Sequence, residues 1–576
     1  MSINASASTA NRPVSVDLTL DDALFAETDK SLLNSSSEYY YAQMDSLFPE
    51  SGRARAKAFG QFFTPNYVSA PMIESIVDSL EVDPPTVLSV IDPFCGDGRL
   101  VVDFLTSLAG KDWASATEIN LSIWDIDKRV LSQAEENILK AVSELALHCT
   151  VSASCQDAFS EALVKEGMFD VCITNPPWSS TKSLKKSFFD REEEYCRYKA
   201  VCESYAQMLD KIYEDVNDAK HSRIVDTNIS RFGLSASLRL IRRNGICGIV
   251  MPESFLSDST SRTLRKYLFT ETNVHRIDYF SASLKPFKGA DQGCVSCVMS
   301  SCEKSTNIQV QSHYENNKEV KAYIDATSLE HLAKIGYSIP LGYTTEQIQI
   351  LFKLANNREL GLMPGICIRK EKDETRITDI LKSKGDFTFI KGYMVNCFSM
   401  KTEGTFLSYS DFKKVPDSVY MPKIVWRDIS RASQKKRVKA TLVPKLYVAG
   451  NSLGVIYSKN NEENMYVLLA IINSYVFEFM INAKLANNHV SLEAMKKTGV
   501  PYVNPVDSTW ITSIVSELLA NESQPIEKIA LLNARIGHCY GLTLENYLLV
   551  LDKFDFDKDD YRCFLLAAKK EWEECR

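Results

Sequence analysis

The tetrapeptide Asn175-Pro176-Pro177-Trp178 gathers residue types that can do chemistry at one point. An asparagine amide offers a carbonyl oxygen and an NH2 group. Two prolines hold the backbone around it, each with φ fixed at about −65° and no N–H to donate. Pro176 also biases Asn175 away from the helical region. Such a loop suits transfer to a planar, weakly nucleophilic amine. The amine donates to the Asn175 side-chain oxygen and to the Pro176 carbonyl, which draws it toward a tetrahedral geometry and frees a lone pair for in-line attack. Positioning and electrostatics then supply most of the rate without a strong base. The indole of Trp178 can stack on the base that carries the amine.

A loop of this kind needs a rigid element before it. The apolar run Phe169–Thr174 reads as a buried strand, and ligands in open α/β sheets bind at the carboxyl ends of strands. Upstream, the β-branched run at residues 86–91 ends in Asp92-Pro93-Phe94-Cys95-Gly96-Asp97-Gly98, and a helix follows. A strand, a tight glycine turn and a helix form the nucleotide-binding entry of a doubly wound sheet. The next strand, residues 121–124, ends at Asp125, where a carboxylate can accept both ribose hydroxyls of an adenosine moiety. A third strand leads to Asp157, placed to accept from an adenine amino group. Before all of these, Thr64 reads as the N-cap of a helix with Pro65 at its first position.

Further along, residues 179–230 are charged and tyrosine-bearing and read as one or two helices inserted over the site. A helix over 234–243 ending at Asn244-Gly245, a strand over 246–251, another helix and a strand over 295–299 continue the alternation. That alternation predicts a mostly parallel, doubly wound α/β sheet.

Length and composition are consistent with this reading. At 576 residues the chain holds two or three domains, and 45% hydrophobic and 24% charged residues describe an ordinary globular composition. The N-terminal residues lack the basic and apolar regions of a signal peptide, and the most apolar later window, residues 465–481, contains Asn473, Ser474 and Glu478. A cytoplasmic protein with reduced cysteines and no membrane span is expected. Cys294-x-x-Cys297, with Cys302 nearby, lacks a second ligand pair and reads as strand core, so no metal is expected. The net charge of −8 means that any nucleic-acid contact must come from a local patch. One candidate runs over residues 423–445, with Lys423, Arg427, Arg431, Lys435, Lys436, Arg437, Lys439 and Lys445 against the single acid Asp428.

The motifs Gly60-Gln61-Phe62-Phe63-Thr64-Pro65, then Asp92 to Gly98, then Asn175-Pro176-Pro177-Trp178, occur in the order of a known family. The chain resembles the gamma class of DNA adenine-N6 methyltransferases of restriction-modification systems. The resemblance implies a Rossmann-like S-adenosylmethionine-dependent catalytic domain over residues 51–335, after an N-terminal tail and helix at 1–50. It also implies a C-terminal α+β target-recognition domain with a helical tail over 336–576.

Carried over by position, Thr64, Asp92, Phe94, Gly96 and Gly98 would hold the methionine end of the cofactor, Asp125 the ribose and Asp157 the adenine. Asn175, Pro176 and Pro177 would bind the target amine, with Trp178 and Phe287 against the flipped base. Flipping is required because the acceptor nitrogen is out of reach inside a duplex. Lys423, Arg427, Arg431, Lys435, Lys436 and Arg437 would contact double-stranded DNA. A separately encoded restriction endonuclease is the implied partner.

Three alternatives stay open at this level: a modification subunit of a multi-subunit complex, an N4-cytosine methyltransferase, and methylation of RNA or protein. The long stretch after the catalytic motifs favours an enzyme that supplies its own specificity.

Overall fold

The computed structural model describes residues 20–574 apart from 50–52, 61–62, 179–183, 185, 215, 217–227, 259, 288–291, 302–303, 374–380, 402, 413, 431–433, 460–463, 486–487 and 522–523. The chain divides into two compact units, Met1–Gly342 and Tyr343–Arg576.

The first unit is built on β1 (Val87–Asp92), β2 (Glu118–Asp125), β3 (Cys149–Cys155), β4 (Phe169–Thr174), β5 (Ile241–Pro252), β6 (Asn273–Phe280), β7 (Cys294–Ser300), β8 (Asn307–His313) and β9 (Glu319–Asp325). They form one sheet in the order β3-β2-β1-β4-β5-β7-β6-β8-β9. Strands β7 and β9 run against all the others. The chain winds outward from β1 to β3 and then crosses back to β4, so the order reverses between β1 and β4. That reversal leaves a crevice at the carboxyl ends of these strands, because the flanking loops turn in opposite directions there.

Helices α3 (Asn66–Glu81), α4 (Arg99–Ala109) and α5 (Lys128–Leu145) cover one face. Their apolar stripes, including Met72, Ile76, Phe104, Leu105, Ala134 and Ile138, pack with Leu88, Val90, Ile119, Leu121, Val171 and Ile173 in one buried cluster. Strand periodicity sends the intervening residues to the other face. There Cys172 meets Cys247 and Ser237 of α8 (Ser230–Leu240). Outside this frame lie α1 (Leu20–Leu47), α2 (Arg53–Ala58), the short α6 (Ala158–Glu161) and α7 (Glu192–Ile212), with α1 packed on both α6 and α7.

Two local expectations change. Helix α1 begins at Leu20, well inside the stretch expected to be a loose tail. Asn244-Gly245 does not end a helix; α8 stops at Leu240 and these residues lie within β5. The register slips there, with Phe169 opposite Ile241 but Val171 opposite Ile246, and Asn244 takes φ 66°. The same turn-prone pair that could cap a helix makes a bulge here.

The second unit carries small sheets and helices. Its largest sheet has four strands in the order Ile366–Arg369, Leu453–Ser458, Lys423–Arg427, Ala440–Val443. The apolar window expected as one buried helix is two, Met465–Ile472 and Tyr475–Asn482, bent by 60°. Asn473 ends the first and Ser474 caps the second. No single helix among the described residues is long and apolar enough to cross a membrane.

Candidate active site

The loop after β4 is fixed from three directions. Asn175 Nδ2 donates to Thr64 Oγ1 at 3.0 Å, and the Trp178 amide donates to the Gly60 carbonyl at 3.4 Å. Pro176 packs on α8 at Gly233, where a Cβ would lie 2.3 Å from Pro176 Cβ. Thr64 is not the N-cap of α3; Pro65 holds that position without a side-chain bond. The shift by one residue leaves the Thr64 hydroxyl to receive the Asn175 amide. Because the NH2 group is held by Thr64, the oxygen is the end of the amide turned away from it. Of the motif before Thr64, Gln61 and Phe62 lie outside the described residues.

Trp178 and Phe287 meet, with ring centroids 4.7 Å apart at 76°. Both rings are buried in the apolar cluster under α3 to α5, and neither is among the residues that line the cavity described below.

The acids follow the strand ends. Asp92 Oδ1 accepts from Thr174 Oγ1 at 2.7 Å and from the Phe94 amide at 3.1 Å. Asp125 accepts from the Gly96 and Asp127 amides at 3.0 and 2.8 Å. Asp157 accepts from the Phe159 amide at 3.1 Å and from Tyr205 Oη at 3.3 Å. Burial raises Asp92 to about 7, and Asp125 and Asp157 to about 6, against the lowering effect of these hydrogen bonds. Asp127 goes the other way: burial would raise it, but its ion pair with Arg55 of α2 at 2.8 Å leaves it lowered.

A cleft open to solvent joins these ends. Phe94, Gly96, Asp125, Asp157, Asn175 and Pro177 line it, together with Tyr40, Gln156 and Tyr205. Asp92 sits behind the turn at 1% exposure. Gly96, at φ 53°, has nothing within 4 Å of where a Cβ would be, so the wall is open at that point. Gly98 differs. Its missing side chain admits α5, with Ala134 atoms 3.1 Å from a Cβ position, so it packs the turn against a helix and is not one of the residues lining the cavity.

Residues 113–287, which include β2 to β6 and the Asn175 loop, match a family model described as Eco57I restriction-modification methylase. That stretch is thus similar to a restriction-modification methylase domain. The Type II methyltransferase M.VspI of Vibrio sp. (strain 343) is 22% identical over 255 residues, covering 44% of this chain. The chain spans about half the length of that curated relative, 51%. Among solved structures, the Type IIL restriction-modification enzyme MmeI, in complex with DNA, aligns with a TM-score of 0.58 at 11% identity, over 92% of this chain and 81% of its own. A nuclease-deletion mutant of the Type ISP restriction-modification enzyme LlaGI, with a DNA substrate mimic, gives 0.51 at 13% identity, over 81% of this chain and 47% of its own. At these identities the likeness is one of fold: a large, mostly parallel α/β sheet in the first unit and smaller sheets in the second.

The residues around this cavity fit S-adenosylmethionine, the cofactor that the sequence motifs imply. The cavity has carboxylates at the β2 and β3 ends for hydroxyl and amino donors, and an open glycine wall at Gly96. It also has a buried donor, Gln156 Nε2, with no hydrogen-bond partner among the described residues. Neither Gln156 nor the tyrosines from α1 and α7 were singled out by the motif pattern.

In the C-terminal unit the basic segment is not the surface patch expected. Lys423 lies on an inner strand of the four-stranded sheet, fully buried, donating to Glu371 Oε1 and the Tyr447 carbonyl, each at 2.6 Å. Glu371 also accepts from Ser418 Oγ at 2.5 Å and from the Ala449 amide at 2.7 Å. Arg427 donates to the carbonyls of Gly392, Tyr393 and Val395. Lys436 pairs with the buried Glu478, which also accepts from the Arg437 amide, and Arg437 is 8% exposed. Lys435 is exposed but paired with Asp557 at 2.9 Å. Arg431 lies outside the described residues. Charge in the sequence here reports internal pairing, so Lys423, Lys436 and Arg437 are withdrawn as phosphate contacts.

Proposed function

We propose that the chain methylates the N6 amine of a flipped adenine in duplex DNA, as the cytoplasmic modification enzyme of a restriction-modification system. The observation that carries this reading is the Asn175 loop, held by Thr64, Gly60 and Gly233, at the mouth of the cavity that Asp125 and Asp157 line. When bound, S-adenosylmethionine supplies an electrophilic methyl group. Asp125 and Asp157 would hold its ribose and adenine, and the Asp92–Gly98 turn its methionine end. Asn175 Oδ1 and the Pro176 carbonyl accept hydrogen bonds from the target amine and turn its lone pair toward the cavity. Trp178 and Phe287, which pack edge to face beside this loop, would lie against the base, as the motif pattern implies. Residues 343–576 would supply target recognition, and a separately encoded endonuclease would cut unmethylated sites.

The test is transfer of labelled methyl from S-adenosylmethionine to mixed plasmid DNA, with Asn175→Ala in parallel and nucleoside analysis of the product. N6-methyladenine, lost by about 100-fold or more in the variant, is the expected result. Label in N4-methylcytosine would overturn the base assignment. No label in DNA from a protein that binds the cofactor would overturn the DNA substrate.

A further inference from the structure

Helices α1 and α7 stand outside the sheet-and-helix frame, yet both converge on one turn of the cavity wall. Tyr198, Tyr205 and Tyr213 recur at intervals of about two helical turns and so share one side of α7 and its C-terminal end. All three are buried. Tyr205 Oη donates to Asp157 Oδ2 at 3.3 Å, and Tyr213 Oη donates to the Phe159 carbonyl at 2.6 Å. From α1, Tyr40 stacks on Tyr205 with centroids 4.6 Å apart at 20°.

Asp157 caps α6 with Oδ1, so Tyr205 is what fixes the direction of Oδ2. A carboxylate oxygen has two acceptor sites, and one bond to a rigid phenol leaves the other pointing in a set direction. Both Tyr205 and Asp157 line the cavity, so that remaining site borders the space a ligand would fill. A tyrosine buried only for packing needs a partner for its hydroxyl, but many backbone carbonyls could serve. Here the partner is a carboxylate on the cavity wall.

We propose that Tyr205 is a positioning residue for cofactor recognition: it aims Asp157 at the exocyclic amine of the adenine. The inserted helix α7 is thereby a part of the cofactor site. This rests on the methyltransferase reading and assigns a role to the tyrosine-bearing insertion that the motifs leave without one.

Binding of two ligands tests it by calorimetry, without any methyl transfer. S-adenosyl-L-homocysteine carries the amine; S-inosyl-L-homocysteine carries a carbonyl oxygen in its place, an acceptor facing an acceptor. The intact protein should prefer the adenosyl compound by about tenfold to a hundredfold. Tyr205→Phe should cut that preference to about threefold or less, mainly by weakening the adenosyl compound. Tyr40→Leu, which removes the ring stacked on Tyr205, should narrow it in the same direction, and Tyr205→Phe should have no further effect on preference in an Asp157→Asn background.

Equal weakening of both ligands by Tyr205→Phe would reduce Tyr205 to a packing residue and overturn the proposal, as would an unchanged preference. If the intact protein binds neither ligand, the methyltransferase reading itself falls. Should Tyr205→Phe fail to fold, an unchanged preference in Tyr40→Leu overturns the proposal alone.

Discussion

Gly233 gives the sharpest test of how the Asn175 loop is held. It is the fourth residue of α8, and a Cβ there would lie 2.3 Å from Pro176 Cβ and 2.9 Å from Pro176 Cγ. Carbon atoms pack at about 3.5–4.0 Å, so Gly233→Ala forces Pro176 or the helix to move by roughly 1 Å. Two stability effects oppose each other. Alanine favours the helix by about 1 kcal/mol over glycine, while overpacking costs about 1–3 kcal/mol. The variant should therefore lose no more than about 2 kcal/mol and remain folded.

Activity is the more sensitive quantity, since a misplacement of about 1 Å at reacting groups costs on the order of 100-fold in rate. Steady-state methylation of a DNA substrate should show kcat lowered about 100-fold. The KM for cofactor and the binding of S-adenosyl-L-homocysteine should stay near the values of the intact protein. A kcat within about threefold of the intact protein would refute the role given to this contact. So would a parallel loss of cofactor binding, because the damage would not then be confined to the loop.

Other outcomes follow from the same geometry. Asp92 is raised by burial to about 7 from an ordinary 3.8, so its contribution to stability is intact below the ordinary value and is lost as pH rises toward 7. Asp92→Asn keeps an oxygen for Thr174 and Phe94. It should match the cofactor-free protein in chemical denaturation near pH 4 and exceed it at pH 8 by about 2–4 kcal/mol; lower stability at pH 8 would contradict this. Lys423→Met leaves Glu371 buried without its cation and should cost about 3–5 kcal/mol in unfolding free energy. DNA affinity of the folded fraction should be unchanged, and a selective loss of DNA binding would return Lys423 to the interface. Trp178→Ala should weaken stacking on an extruded 2-aminopurine, read by its fluorescence, by about 1–3 kcal/mol. Unaltered quenching would remove the indole from the base site.

The parts of the site that were legible in the sequence are those fixed by chain neighbours. Asp92 and Asp125 end β1 and β2, Asn175 follows β4 directly and Asp157 comes two residues after β3, so sequence position alone sets their place at one end of the sheet. Contacts between distant residues were not legible. Tyr205 meets Asp157 across 48 positions and Tyr213 meets Phe159 across 54, and no local pattern encodes either bond. Thr64 and Asn175 are 111 positions apart, and the hydroxyl that joins them looked like a helix cap because it precedes Pro65. Misreading Lys423 had a different cause. Its neighbours Ile424, Val425 and Trp426 are all buried with it, an apolar run that argues for an inner strand, but its charge was given more weight than its company. Glu371, the acid that makes such burial tolerable, lies 52 residues away.

That buried pair also acts on how the C-terminal unit finds its register. Glu371 ties Ser418, Lys423 and Ala449 together, and Lys423 reaches the Tyr447 carbonyl, so one carboxylate joins the strand Lys423–Arg427 to the strand Tyr447–Ala449 of a different small sheet. A slip of one residue would turn the lysine to the opposite face of its strand and leave the carboxylate alone in the interior. Misregistered pairings are thus penalised from inside, independently of the residues on the loops.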